Sequence, residues 1–229
     1  MSERGFFSPS NVAVYEKVAR AHQRRKLREI GIFSAKDFHS FVLDCLAEHY
    51  AQITEKGQDN LEKAKQVLEN GGAVFFTPNH LSHADGAVLN IRLKEAGLDP
   101  VFVLGKRILD NPVINQLGKG ADCVHVWPLT DTPKNEKEAQ QKKQMNEEAK
   151  NGVVYALENG RPVVLFLENG RSRTRALKDE TYQETSLYFY LVRDRDVAIV
   201  PVGLVGTDNI LPVGHIRPKK SDVEVIYGE

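Results

Sequence analysis

The sequence predicts an α/β fold: a mixed, largely parallel central sheet flanked by helices, with an N-terminal helical segment before it. Two observations support this. From about residue 70 onwards, short apolar runs alternate with polar, helix-like stretches, and continuous apolar runs are typical of strands that helices cover on both faces. Before residue 70, apolar residues recur every three to four positions, as in amphipathic helices.

The first predicted element is the helical N-terminal part of the chain, from residue 11 to about residue 70. We divide the chain into an N-terminal helical segment, residues 1–65, and an α/β domain, residues 66–229. The apolar helix faces that support this are formed by Val12, Tyr15, Val18 and Ala19, and by Phe38, Phe41, Val42, Cys45 and Leu46.

Six apolar runs are the predicted strands. They are AVFFTP (73–78), VFVLG (101–105), DCVHVW (122–127), PVVLFLE (162–168), VAIVPVGLV (197–205) and VEVIY (223–227). The charged stretch 134–152 is predicted to be a solvated helix face. Because the last run is followed at once by Gly228 and Glu229, we expect that the C-terminus is truncated.

Composition limits the classes of function. The chain has 229 residues, of which 41% are hydrophobic and 27% charged, as in soluble globular proteins. Lys+Arg and Asp+Glu balance at 31 each, so no nucleic-acid partner is expected from overall charge. No apolar run approaches the roughly 18 residues of a spanning helix. Cys45 and Cys123 lie far apart, which favours a reducing compartment over a disulfide framework.

Two segments share one plan. In VLENGGAVFFTPNH and in ALENGRPVVLFLENGR, a helix ends at glycine, a buried strand follows, and polar residues end the strand. Glycine is the common terminator of helices because it adopts the left-handed conformation without strain. Both polar clusters therefore fall at the carboxyl ends of strands, where open α/β sheets bind ligands.

The first cluster, NHLSHADG (79–86), has three interpretations. Ser82 and Asp85 have the spacing of a capping box, in which case Asp85 only caps a helix. His80, His83 and Asp85 resemble a metal-ligand cluster, although the two histidines stand three apart and the downstream histidines are distant. In the third interpretation, Asp85 orients His80 and stabilises its charged form, so that His80 takes a proton from a substrate hydroxyl.

The second cluster, FLENGRSRTR (166–175), favours the third interpretation. Arg171, Arg173 and Arg175 alternate with hydroxyl residues just beyond a predicted strand. Guanidinium groups at this spacing suit a phosphate. The alternative is an exposed basic loop.

Four blocks in order resemble the glycerolipid acyltransferase family, over roughly residues 60 to 229. They are NHLSHAD, GKRILDNPVINQLGKGADCVHV, FLENGRSRT and IVPVGL. The third block has Asn169 where the family often has glycine, and its GRSRT sequence is more similar to the glycerol-3-phosphate branch than to the lysophosphatidate branch.

The resemblance implies a fold, an activity and residue roles. His80 and Asp85 are the expected catalytic pair; Arg171, Arg173 and Lys106 would bind the phosphate of the acceptor. Glu168, Gly170 and Ser172 are the supporting residues. Glu168 either braces Arg171 by a charge-assisted hydrogen bond or is simply a solvated residue at the end of a strand. The expected reaction moves an acyl group from acyl-CoA or acyl-carrier protein to glycerol-3-phosphate; the alternatives are lysophosphatidate as acceptor and a metal-dependent hydrolase.

The resemblance also implies partners and a location. We expect no cofactor and no metal, and a small phosphate-bearing acceptor. We expect the protein to contact a membrane surface from the cytoplasm; in a plant or an alga its location would be the plastid stroma.

The basic stretch 17–29 is either a solvated face or a surface for anionic headgroups or acyl-carrier protein. We expect His83 to act in packing or hydrogen bonding, and His125 and Trp127 to belong to the core.

Overall fold

A seven-stranded sheet organises the computed structural model, in the order β1-β7-β6-β2-β5-β3-β4. The structure describes residues 50–82, 84–106, 122–128, 131–168, 188, 192–210 and 219–229. The strands are β1 (Ala51–Lys56), β2 (Ala73–Pro78), β3 (Val101–Gly105), β4 (Asp122–Val126), β5 (Val163–Leu165), β6 (Val197–Val205) and β7 (Ser221–Tyr227). The helices are α1 (Gln58–Glu69), α2 (Ala84–Glu95), α3 (Glu136–Glu158) and α4 (Thr207–Ile210).

The sheet is mixed and largely parallel, as the sequence predicts. Strands β6, β2, β5, β3 and β4 run parallel to one another. Strand β7 is antiparallel to β6, and β1 is parallel to β7. Each of the six predicted runs contains a strand, although the run at 162–168 forms only the three residues of β5.

The helical prediction is wrong for residues 51–56, which form β1. Among the described strands, this edge strand pairs with β7 alone, and alternate residues of AQITEK are exposed. Ile53 is its one large apolar side chain, so the stretch carries too few apolar residues to show the period of a strand. A glycine makes the following turn: Gly57 has φ 75°, and a Cβ there would collide with the carbonyl oxygen of Tyr227. Residues 1–49 of the predicted N-terminal segment lie outside the described residues.

Helices cover the two faces of the sheet and create two apolar cores. Helices α1 and α2 pack on one face, where Leu61, Val88 and Leu93 meet inward side chains of β2 and β6. Helix α3 packs on the other face through Val153 and Leu157. Strand β2 lies between both layers and all six of its residues are buried. Within the described part of the chain, no helix has both the length and the apolar character needed to cross a bilayer.

The parallel strands place several loop residues at one edge of the sheet. We call this the carboxyl edge, the edge at which β6, β2, β5, β3 and β4 end. Phe76 pairs with Val164 and Val103 with Leu165. His80, Glu168 and Lys106 follow the ends of β2, β5 and β3, and therefore lie at this same edge.

Candidate functional site

His80 and Asp85 lie in contact at the carboxyl edge. Nδ1 of His80 is 2.9 Å from Oδ2 of Asp85. The carboxylate is fully buried, whereas 22% of the histidine side chain is exposed. A carboxylate only accepts hydrogen bonds, so Nδ1 carries the proton of the neutral ring and Nε2 is left as an acceptor. The contact expected from the sequence is therefore present.

Asp85 also organises the start of helix α2. Its Oδ2 accepts the backbone N–H groups of Leu81 at 2.6 Å and Ser82 at 2.8 Å. In return, Oγ of Ser82 accepts the N–H of Ala84 at 3.1 Å. The bond from the Ser82 N–H to Asp85 is one half of a capping box, whereas the Ser82 hydroxyl caps the N–H one residue before the position that the box requires. The capping and pairing interpretations of Asp85 hold together, because one oxygen serves the helix end and the imidazole.

Residues after strand β5 complete the surroundings of His80. Oε1 of Glu168 accepts the backbone N–H of His80 at 3.2 Å. The ring of Phe166 lies 4.5 Å from the imidazole, centroid to centroid. The two polar clusters that the sequence places after separate strands thus meet through their described residues. Phe166 was missed as a site residue because it belongs to an apolar run that reads as strand core.

Lys106 lies two strands away from His80 along the same edge. Its Nζ is 3.4 Å from the centre of the Trp127 ring, a cation–π contact. Trp127 is 6% exposed. Asn146 of helix α3 holds the backbone of Trp127: its Oδ1 accepts the backbone N–H of Trp127 at 2.7 Å, and its Nδ2 donates to the backbone C=O of Trp127 at 2.9 Å. Trp127 is buried, as expected, but its ring also reaches the edge that carries the site.

His125 and Cys123 lie on strand β4. Nε2 of His125 is 3.8 Å from Sγ of Cys123. Burial lowers the pKa of His125. Burial, together with the charge of Asp122, raises the pKa of the Cys123 thiol. Both groups therefore favour their neutral forms. His125 is only partly buried and belongs to neither apolar core, so it is not the core residue that we expected.

The other predicted site residues are outside the described residues. They are His83, Gly170, Arg171, Ser172 and Arg173, and the basic stretch 17–29 is outside as well. The phosphate clamp therefore stays a prediction. Among the described side chains, no group of three or more His, Cys, Asp and Glu residues could hold a metal ion. The metal-dependent hydrolase stays a hypothesis.

The fold and the site together define an α/β domain with a histidine–aspartate pair at the carboxyl edge of its sheet. The model of the family described as Acyltransferase matches residues 52–205. The chain therefore belongs to the Acyltransferase family. This agrees with the resemblance drawn from the four sequence blocks.

A solved structure shows the same fold. The chain matches the crystal structure of the 1-acyl-sn-glycerophosphate (LPA) acyltransferase PlsC from Thermotoga maritima with a TM-score of 0.55 and 14% sequence identity. The match covers 96% of this chain and 83% of that one. A comparison with curated proteins found no match.

Proposed function

We propose that the protein transfers a fatty acyl group from an acyl thioester, acyl-CoA or acyl-carrier protein, to the hydroxyl of glycerol-3-phosphate in phospholipid synthesis. The observation that carries this proposal is the 2.9 Å contact between His80 and Asp85. It supplies a base for a hydroxyl group at the edge where parallel sheets bind ligands.

In the proposed mechanism, the acceptor itself is the nucleophile. Nε2 of His80 takes the proton of the hydroxyl group as its oxygen attacks the thioester carbonyl carbon. A C–O bond forms, the C–S bond breaks, and His80 returns the proton to the departing thiolate, so that an ester and a free thiol result. Asp85 holds the ring and stabilises its charged form, and general-base catalysis of this kind contributes about 10²–10⁴-fold in rate.

The acceptor is held through its phosphate. We propose that Arg171 and Arg173 bind the phosphate, with Lys106, directly after strand β3, as a third positive group. Two features support a role for Lys106: it follows β3 at the same edge of the sheet as His80, and its ammonium lies over Trp127 at 3.4 Å. The planar guanidinium groups would give direction, and the ammonium would add charge.

Lysophosphatidate is the second candidate acceptor. The solved neighbour is a lysophosphatidate acyltransferase, and both acceptors offer a glycerol hydroxyl and a phosphate to the same groups. Lysophosphatidate additionally needs an apolar surface for its acyl chain.

One assay tests both acceptors. Purified protein is given glycerol-3-phosphate or lysophosphatidate as acceptor. The donor is labelled acyl-CoA or, in parallel, acyl-carrier protein that carries the labelled acyl group, and the labelled ester is measured. We expect ester formation with glycerol-3-phosphate. If ester formed only with lysophosphatidate, the proposed acceptor would be wrong but acyl transfer would stand. If no ester formed with any pair of donor and acceptor, acyl transfer would be refuted.

We also propose that the protein works at the cytoplasmic surface of a membrane, where its lipid product is needed. The sequence feature that supports this is the basic stretch 17–29, since clusters of Lys and Arg bind anionic headgroups. In a flotation assay with anionic liposomes, replacing Arg24 and Arg25 by glutamate should release the protein. Undiminished flotation of the variant would rule out docking through this stretch.

A further inference from the structure

Asn79, the residue between strand β2 and His80, is bonded to the backbone of strand β6. Its Oδ1 accepts the N–H of Leu204 at 2.6 Å, and its Nδ2 donates to the C=O of Leu204 at 3.0 Å. The backbone N–H of Asn79 donates to the C=O of Val202 at 3.2 Å. An asparagine amide offers the same donor and acceptor as a peptide group. The side chain thus takes the place of the next rung of the β2–β6 ladder.

The side-chain bonds of Asn79 matter because the chain leaves the sheet at this point. Strand β2 ends at Pro78, and Asp85 already stands in the first turn of α2. Leu204 is fully buried, so its backbone groups need partners when the β2 backbone turns away. The Asn79 side chain supplies these partners, and the backbone of His80 is free to bend towards Asp85.

The His80 backbone is held from the other side as well. Glu168, after strand β5, accepts the N–H of His80 at 3.2 Å. Strands β6 and β5 are the two neighbours of β2 in the sheet. The turn that carries His80 is therefore fixed to both neighbouring strands, through Asn79 on one side and Glu168 on the other.

We infer that Asn79 is a positioning residue for the reaction. It acts through His80: by fixing the exit of the chain from β2, it sets the direction of the imidazole and keeps Nδ1 on Asp85. This inference rests on the proposed function. Asn79 itself contacts β6 and not the reacting atoms, so its loss should slow turnover without weakening the binding of either substrate.

The chemistry of the contact is specific to asparagine. Alanine offers neither bond to Leu204. Aspartate has the same shape and can still accept the Leu204 N–H, but it has no donor for the C=O and would place a negative charge beside it. Asn79→Asp therefore removes one of the two bonds with little change in volume.

The test compares Asn79→Ala and Asn79→Asp with Asn135→Ala in the full chain. Asn135 caps helix α3 through a bond from the Glu138 N–H at 2.9 Å, so its loss also destabilises the fold but does not touch His80. We expect Asn79→Ala to lower kcat by ~10²-fold, since a displacement of about 1 Å has that effect, with both KM values unchanged. Asn135→Ala should keep its kcat and KM values at a comparable loss of Tm.

Two further measurements separate positioning from a general loss of structure. In the His80→Ala background, Asn79→Ala should lower the residual rate no further, because its effect passes through His80. By NMR, the Nδ1 proton of His80 should be visible in the unmodified chain and lost or shifted in Asn79→Ala. An unchanged kcat for Asn79→Ala, or an additional loss of rate in the double variant, would overturn the inference.

The outcomes also distinguish this inference from the proposed function. If His80→Ala keeps its turnover, the proposed function fails. If His80→Ala loses turnover and Asn79→Ala keeps it, only the role of Asn79 fails. If neither Asn79 variant folds, hydrogen exchange in the unmodified chain tests the contact between Asn79 and Leu204. Side-chain amide protons of Asn79 that exchange as fast as those of an exposed asparagine would refute this contact.

Discussion

His80 and Lys106 lie on the same carboxyl edge, but different forces hold them. The ring of His80 is fixed by a hydrogen bond to a buried carboxylate, and its backbone by Glu168. The described contact of Lys106 is made by its charge, over the face of Trp127. Hydrogen bonds fix direction as well as distance, whereas an ammonium is a compact charge with little directional demand. A group that moves a proton needs the first kind of support, and a group that attracts a phosphate is served by the second.

An asparagine secures each end of this edge. Asn79 binds both backbone groups of Leu204, and Asn146 binds both backbone groups of Trp127. The bond lengths are similar, yet the two amides support different functions in our proposal: turnover at the first end and acceptor binding at the second. Variants at the two ends should therefore differ in their kinetics, with kcat lowered at the first end and the KM of the acceptor raised at the second.

The largest effect is expected for His80→Ala. Without its base, kcat should fall by about 10²–10⁴-fold, while the affinity for the phosphate-bearing acceptor is retained, because in our proposal other residues, Arg171, Arg173 and Lys106, bind the phosphate. Steady-state kinetics and acceptor binding by calorimetry check the two parts. Near-normal turnover of this variant would contradict the assignment of His80 as the base.

Asp85→Asn should reduce both activity and stability. An amide that donates towards His80 selects the wrong tautomer of the ring, and the N–H groups of Leu81 and Ser82 lose a charged acceptor. We expect a fall in kcat that approaches that of His80→Ala, and a loss of about 1 kcal/mol in stability from the weakened cap. Kinetics and urea unfolding measure the two effects separately. A variant that loses stability alone would reduce Asp85 to a helix cap.

At the other end, Trp127→Leu should act on acceptor binding. Loss of a cation–π contact of about 0.5–2 kcal/mol corresponds to a roughly 2–30-fold rise in the KM of the acceptor, with kcat little changed. Tyr155→Leu is the matched control, because Tyr155 is 67% exposed on helix α3. A fall in kcat at constant KM would contradict the proposal that the Lys106 end of the edge serves acceptor binding and not turnover.

Of the two ends of the carboxyl edge, the sequence predicted the contact at the His80 end, where the contacting residues are close in the chain. His80 and Asp85 are five residues apart, across a strand end and a first helical turn, so their contact is one of three interpretations of a single short segment, and the arginine cluster at 171–175 favours it. Trp127 and Asn146 are 19 residues apart on different elements, and no local pattern links them. The same reason explains strand β1: it is defined by its pairing with β7 near the end of the chain, whereas its own sequence carries only one large apolar residue.

The smallest effect on catalysis is expected from a cluster away from the carboxyl edge. Glu55 accepts bonds from Arg92 at 2.6 Å and from the Tyr227 hydroxyl at 3.0 Å. Burial alone would raise the pKa of Glu55, but these two bonds and the charge of Arg92 outweigh it and lower the pKa. Burial and the charge of Glu55 raise the pKa of Tyr227. The cluster ties β1 and β7 to helix α2.

Tyr227→Phe should therefore cost about 1 kcal/mol of stability, the typical value of one hydrogen bond, and leave kcat unchanged. Because the pKa of Glu55 is lowered in the folded chain, its contribution is complete above the ordinary pKa of glutamate and is lost as the pH falls through the lowered value. Thermal unfolding from pH 7 downwards should show a smaller acid loss of Tm for Glu55→Gln than for the unmodified chain. Equal losses would mean that Glu55 adds nothing to acid sensitivity, and a fall in kcat would mean that the far end of helix α2 influences His80 through Asp85.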